Sequence, residues 1–243
     1  MAVIDVIDFH KSFGSKVVHA GVSFYVKKGE CLGLVGGSGA GKSVILRSLI
    51  GLERADRGRI LIDDEDVTEA HELKWQKLRK KVAYCFQGGA LFDSMTVFEN
   101  LAYPLVEHTQ MTPAQVQERV SQQLAEFGMS GTEKLYPNEL SGGMQKRIGL
   151  ARAVMLEPEI ILYDEPTAGL DPFNTKKIQD LILKLKAKGV TSILVTHDMP
   201  TAFAVCDKFA FLKDKVIKEQ GTIEQLRAQK ESLIYQFIEG NIL

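Results

Sequence analysis

The chain has 243 residues, 45% of them hydrophobic, which excludes disorder and suits one large α/β domain with room for an inserted subdomain. Its 30 basic and 31 acidic residues leave a formal charge of -1, so no chain-wide excess could hold a nucleic acid or an anionic membrane by charge alone. Cys31, Cys85 and Cys206 each stand in an apolar run (ECLGLV, VAYCF, AVCDKF), the setting of buried thiols in a reducing compartment rather than of a disulfide framework.

The N-terminal MAVIDVIDFHK lacks the basic start and apolar stretch of a signal peptide, and no apolar run nears the ~18–20 residues that span a bilayer. From Val3 to Phe24 the pattern is short and alternating, with Gly14 and Gly21 as punctuation. VSFYVKKGECLGLVGG then reads as two strands joined at Lys28-Gly29. The second is apolar throughout, ends in glycines, and runs into the helix SVILRSLIGL. RILIDDEDV, at 59–67, reads as a further strand with an acidic turn. From Gly88 to Glu157 the composition turns helical, and TPAQVQERVSQQLAEFGM carries a Thr112 cap with Pro113 in the first turn. Strand patterns return in EIILYDEP and TSILVTHD, separated by the helix TKKIQDLILKLKAKG, as in a parallel sheet with crossover helices. The expected division is one domain, with a core of 1–87 and 158–225, a helical insertion at 88–157 and a helical tail at 226–243. In TIEQLRAQKESLIYQFIEGNIL, Thr222 is a candidate cap and Ile223, Leu226, Leu233, Phe237 and Ile238 share a face. That face has three candidate partners: its own domain, a second copy of the chain, or a small accessory cytoplasmic subunit.

Three motifs carry chemistry. The run Gly36, Gly37, Ser38, Gly39, Ala40, Gly41, Lys42, Ser43 matches G-x-x-x-x-G-K-S between a predicted strand and a predicted helix. Glycines let successive backbone N–H groups curl around phosphate oxygens, Lys42 reaches the β and γ phosphates, and Ser43 ligates magnesium. In IILYDEP the apolar strand from Ile160 to Tyr163 delivers Asp164 and Glu165 to its carboxyl end, the edge where open α/β sheets bind ligands. Asp164 suits magnesium, and Glu165 suits polarising a water for in-line attack on phosphorus. In LSGGMQKRIGLARAVMLEP, Ser141 is a candidate N-cap for a second phosphate-binding helix start. One chain thus carries two phosphate-binding helix starts and a single magnesium-and-base set.

In this order the three motifs resemble the ABC ATPase family, across nearly the whole chain. The resemblance implies a P-loop NTPase with a mostly parallel core sheet, an N-terminal antiparallel β subdomain and an inserted helical subdomain. It implies ATP and Mg2+ as cofactors, hydrolysis of ATP to ADP and phosphate coupled to transport, and a head-to-tail homodimer. Residues 36–44, ending in Val44, would bind ATP in one subunit, while Ser141, Gly142, Gly143 and Met144 of the other face it. Gln87, in YCFQGG, matches the glutamine that senses magnesium and the attacking water; its plain alternative is an edge-strand glutamine. His197, in LVTHD, matches the switch histidine that contacts the γ-phosphate, the alternative being a structural histidine. Asp171, in AGLDP, matches the loop that communicates across the dimer, and otherwise caps a helix before Pro172. Phe13 falls where the family has an aromatic stacked on adenine; tyrosine is commoner there, and a core phenylalanine is the alternative. The implied catalytic set is Glu165, His197, Gln87 and Lys42, with Ser43, Gln87 and Asp164 at the metal.

A narrower resemblance is to the ATPases of bacterial Mla-type phospholipid transporters and their Mce-associated relatives. It rests on FQGGALFDSMTVFENLAYPL (Phe86 to Leu105), EHT (Glu107 to Thr109), Met144 in LSGGM and Val44 in GKSV. It implies a homodimer beneath an MlaE-like membrane permease, a periplasmic Mce-domain protein in the same complex, and a cytoplasmic location on the inner face of the bacterial inner membrane. Gly88 to Tyr103 would help form the groove for the permease, with Leu91, Phe92, Met95 and Phe98 as candidate contacts; for at least half of these, packing in the insertion's own core is the competing reading.

Two rivals keep part of this reading. One is the ATPase of an importer for amino acids or another small solute. The other is a regulatory ABC protein acting on ribosomes or DNA, whose relatives carry two cassettes or a long coiled coil, neither of which occurs here; no nucleic-acid partner is expected. DDEDVTE (Asp63 to Glu69) lacks the central glycine and distant glutamate of an EF-hand and reads as an exposed turn. KWQKLRKK (Lys74 to Lys81) reads as a solvated helix face.

Overall fold

The computed structural model describes residues 2–228 and 231–238, with the backbone alone at 226–228 and 238. Strands β1 (Ala2–Phe13) and β2 (Lys16–Lys27) pair antiparallel around Gly14, whose φ of 57° suits the tight turn. Gly21 does not punctuate. It is the extra residue of a β-bulge inside β2, at φ 102°, between the pairs Phe9↔Val22 and His10↔Ala20.

Strand β3 (Cys31–Gly36) follows, buried along its length, and leads through the glycine loop into α1 (Lys42–Ser48). The predicted 59–67 strand is a hairpin: β4 (Arg57–Ile62) and β5 (Glu65–Asp66) flank Asp63 and Asp64, both at positive φ. Helix α2 (Glu72–Leu78) is largely solvated, yet its Trp75 is buried, lying where a side chain on Gly51 would fall. After β6 (Val82–Cys85) come α3 (Val97–His108), α4 (Pro113–Glu126), a 3-10 turn at Pro137–Glu139, and α5 (Gly142–Ala153). Capping boxes start α3 (Thr96 with Glu99) and α4 (Thr112 with Gln115), each satisfying backbone N–H groups that a bare helix end leaves orphaned.

The alternation then resumes with β7 (Ile160–Asp164), α6 (Pro172–Ala187), β8 (Thr191–Val195), α7 (Met199–Val205), β9 (Lys208–Lys213) and β10 (Val216–Thr222). Helix α6 begins earlier than its predicted Thr175, because Asp171 caps it and Pro172 fits its first turn. The tail forms two short helices, α8 (Ile223–Ala228) and α9 (Leu233–Ile238), in place of one continuous amphipathic helix. Thr222 caps the first by accepting from the Gln225 N–H, and Ile234 of the second is buried against the domain, with Phe237 ring to ring with Phe211 at 5.0 Å. Leu226 and Ile238 fall outside the residues whose side chains are described.

Two sheets result. One is antiparallel, ordered β2-β1-β4-β5; the other is ordered β10-β9-β3-β8-β7-β6 and is parallel except for β10. Alternation along β7 divides the interior: Ile161 and Tyr163 join the core shared with α3 to α6, while Ile160 and Leu162 join the core beneath α1 and the antiparallel sheet. Fully buried residues such as Leu101, Val120 and Leu124 fasten the insertion's helices together, at about 1.5–3 kcal/mol each by area. All three cysteines are buried and unbridged. Among the described residues, no helix is long and apolar enough to cross a membrane.

Candidate functional site

The glycine loop needs glycine where backbone crowds it. A Cβ on Gly36 would lie 2.3 Å from the Leu212 carbonyl oxygen. Gly41, at φ 96°, is the left-handed cap of α1, and a Cβ there would lie 2.5 Å from Val18 Cγ1. The loop wraps around the Lys42 ammonium, which donates to the carbonyls of Gly36 (2.8 Å) and Gly37 (2.9 Å). Burial pushes that ammonium's pKa down, and the carboxylates of Glu165 and Asp164 push it back up.

Parallel pairing of β7 with β8, in the register Asp164↔Val195, brings the two strand-end motifs side by side. Ser43 Oγ donates to Asp164 Oδ1 at 2.8 Å, and Tyr84 Oη donates to Asp164 Oδ2 at 2.7 Å. Glu165 turns at φ 51°, its N–H donating to the Val195 carbonyl at 2.8 Å. A left-handed conformation in a non-glycine residue is strain of the kind functional sites store. Glu165 Oε2 lies 2.9 Å from His197 Nδ1 and accepts from the His197 backbone N–H at 3.3 Å. Lys146 of α5 reaches the carbonyls of Glu165 and Ala168 from the insertion side.

One cleft of about 880 Å3 gathers Phe13, Gly36, Ser38, Gly39, Gly41, Lys42, Ser43, Val44, Gln87, Asp164, Glu165 and His197. Gly37 takes part through its carbonyl to Lys42, and Ala40 packs against the core beneath the loop. Phe13 is exposed at the rim, with Lys11 Nζ 5.0 Å from its ring centroid, so it is no core phenylalanine. Gln87 is exposed just beyond the end of β6. The loop that follows it is anchored to the insertion. Asn100 brackets Phe92 by accepting from its N–H and donating to its carbonyl, and Arg152 donates to the Ala90 carbonyl at 2.6 Å. Of the candidate surface contacts, Leu91 and Phe98 pack against the insertion's core, while Phe92 is exposed beside Tyr103.

The second helix start, whose LSGGM run serves as a signature, stands elsewhere. Ser141 caps α5 by accepting from the Met144 N–H at 3.3 Å, and Ser141 and Gly142 are exposed, but none of Ser141 to Met144 lines the cleft. Asp171 also lies outside it. Its carboxylate caps α6 and accepts from both the backbone and the side chain of Asn174, which holds its pKa below the usual carboxylate range. Asn174 in turn packs on Gly143, where a Cβ would fall 2.5 Å from its Cγ. Asp171 and the signature helix are therefore joined through one side chain.

Tyr84, Lys16, Val18, Lys146 and Asn174 were not singled out by the sequence. Tyr84 alternates with Val82 on β6, and only the pairing of β6 with β7, which no local pattern shows, puts it on the face of Leu162 and Asp164. A second cleft of about 580 Å3 opens at the amino ends of β7 and β8, and two of its lining cations are paired with carboxylates, Arg119 with Glu157 and Lys188 with Glu126, each at 3.2 Å.

Among the described residues no cluster of three His, Cys, Asp or Glu side chains could cage a metal. Ser43 and Asp164 offer two hard oxygens 2.8 Å apart beside a phosphate-type loop. That donor set fits magnesium, which takes one or two protein oxygens and completes its shell with phosphate and water.

Residues 19–168 match the family model described as ABC transporter. The probable ribonucleotide transport ATP-binding protein mkl of Mycobacterium tuberculosis (strain H37Rv) is 42% identical over 98% of this chain, which spans 66% of that relative's length. The intermembrane phospholipid transport system ATP-binding protein MlaF of Escherichia coli K12 is 38% identical over 98% of this chain and 89% of its own length. A dimeric, post-hydrolysis ATP-binding cassette bound to ADP and Pi superposes with a TM-score of 0.84 at 29% identity, covering 90% of this chain and 98% of that one.

Proposed function

The chain belongs to the ABC transporter family, and on that premise we propose that it is the ATP-hydrolysing subunit of a transporter that moves phospholipid between membranes. One observation carries the enzymatic part: Lys42, Ser43, Asp164, Glu165 and His197 converge on a single cleft, while Ser141 to Met144 cap a helix outside it. The loop and Lys42 grip the phosphates, and Phe13 stacks on the base. Magnesium, held by Ser43 and Gln87 with Asp164 bound directly or through water, would offset phosphate charge. Glu165 orients and deprotonates the attacking water, and His197, held by Glu165, reaches the γ-phosphate.

The signature faces nucleotide only in trans, so the working unit is a homodimer whose closure on ATP moves an attached MlaE-like permease. Exposed Phe92, Tyr103 and Val106 near the Gln87 loop supply the apolar contact for that permease. A periplasmic Mce-domain protein and a small accessory cytoplasmic subunit complete the assembly, at the cytoplasmic face of the bacterial inner membrane.

The phospholipid cargo is supported by the E. coli relative, which this chain spans over 89% of its length. A ribonucleotide cargo is the second reading, favoured by the name of the 42% identical mycobacterial relative. Purification of the intact complex in mild detergent, with mass spectrometry of its subunits and bound lipids, separates them. An Mce-type subunit with co-purifying phospholipid is the expected result. A small-solute permease with a soluble binding protein would overturn the cargo, and a ribosome or DNA would overturn transport altogether.

A further inference from the structure

The Asp164 carboxylate has two oxygens, and each is engaged from a different element. Ser43 of α1 donates to Oδ1 and Tyr84 of β6 donates to Oδ2. Ser43 belongs to the glycine-loop motif, whereas Tyr84, three residues before Gln87, has been given no role and stands on the edge strand of the parallel sheet. Its ring is half-buried, 4.3 Å from that of Phe86, so the hydroxyl is delivered by a packed side chain rather than by a free rotor.

A carboxylate at a strand end can rotate about its terminal torsion, which is broad and roughly two-fold. A short O–H···O⁻ bond from a fixed phenol removes that freedom, and charge-assisted bonds of this type are among the stronger ones. We propose that Tyr84 is a positioning residue for the metal: by occupying Oδ2 it holds Asp164 with Oδ1 turned toward Ser43, where the magnesium shell forms. The same bond ties the end of β6 to β7 three residues before Gln87, so the glutamine enters the cleft from a strand braced on the carboxylate it works beside. This inference rests on the proposed metal role of Asp164 and assigns a group that touches neither metal nor nucleotide.

Tyr84→Phe deletes the hydroxyl and keeps the ring. The experiment titrates magnesium against the full-length wild type, Tyr84→Phe and Asp164→Asn. It measures binding of a fluorescent ATP analogue in EDTA and at each magnesium concentration, alongside hydrolysis and thermal melting. In Tyr84→Phe the half-saturating magnesium concentration should rise about 10- to 150-fold, the range of one lost hydrogen bond to a charge, with analogue affinity in EDTA unchanged. An unchanged magnesium midpoint in Tyr84→Phe, with Asp164→Asn strongly shifted, overturns the positioning role and leaves the metal assignment standing. A lower melting temperature and slower hydrolysis at an unchanged midpoint also overturn it, as a purely structural role. An unchanged midpoint in Asp164→Asn overturns the metal assignment itself.

Discussion

His197 Nδ1 lies 2.9 Å from Glu165 Oε2, and the same oxygen accepts from the His197 backbone N–H, so the two strand-end residues form a single unit. Glu165 is only 16% exposed while His197 is 72% exposed: the carboxylate is the fixed member and the imidazole its outward arm. Glu165→Gln keeps the shape and the ring contact but removes the carboxylate proposed as the base. Hydrolysis should fall by about 100-fold or more, while ATP binding survives and the protein accumulates as an ATP-bound dimer. Single-turnover phosphate release and light-scattering mass check this, and wild-type turnover would refute the role.

Gly143 faces Asn174 so closely that a Cβ would fall 2.5 Å from Cγ and 2.6 Å from Oδ1. Asn174 cannot swing freely, because the Asp171 carboxylate grips its side chain and backbone. Gly143→Ala should therefore cost roughly 1–3 kcal/mol as overpacking at the start of α5, and should weaken ATP-driven dimerisation more than ATP binding. Pairing it with Asn174→Gly opens the space and should recover most of the loss in thermal melts and dimer affinity. No recovery in the double variant would rule out this contact as the cause.

The chemistry-bearing motifs are legible in the sequence. The glycine loop, the acidic pair and the strand-end histidine are local patterns whose chemistry depends on short spacing, so reading them needs only the flanking strand and helix. What stayed hidden depends on pairing between distant segments. Tyr84 meets Asp164 because β6 pairs with β7 across the whole insertion, and Asn174 meets Gly143 because α6 packs on α5. Gly21 misled for a related reason: a glycine inside a strand and a glycine at a turn look alike until the partner's register is known. The tail's apolar spacing is helical on both sides of a break at 231–232, so the spacing alone does not show the break.

Ser141 and Lys42 lie in one chain yet do not share its cleft, so their defects should separate between subunits. In a mixed dimer, Ser141→Arg on one chain and Lys42→Ala on the other damage the same composite nucleotide site and leave the second intact. Both changes on one chain, beside a wild-type partner, damage both sites. The first arrangement should trap one nucleotide per dimer and the second none. Equal occupancy in the two arrangements contradicts the trans assignment.

His19 supplies the pH dependence. It is fully buried between Phe9, whose ring centroid is 5.3 Å away, and the cap of α1, where a Cβ on Gly41 would fall 2.7 Å from its Nε2. Neither ring nitrogen has a hydrogen-bond partner, and burial, partly offset by the Gly41 backbone, lowers its pKa from 6.5 to about 4. Because the folded value is the lower one, the unfolded chain takes up the proton first. Stability is then undiminished above pH 6.5, declines as the pH falls toward 4, and loses nothing further to this group below that. The loss over that window is about 3 kcal/mol if the full shift is realised. His19→Leu, of similar size and unable to titrate, removes this component, although carboxylates still titrate in both proteins. Urea melts at intervals from pH 7.5 to 4 should show the wild type losing more stability than the variant between those two pKa values, with the difference levelling off below. Parallel curves would mean that the imidazole is protonated as easily in the fold as in the open chain, and that its burial beside the phosphate loop does not resist the charge.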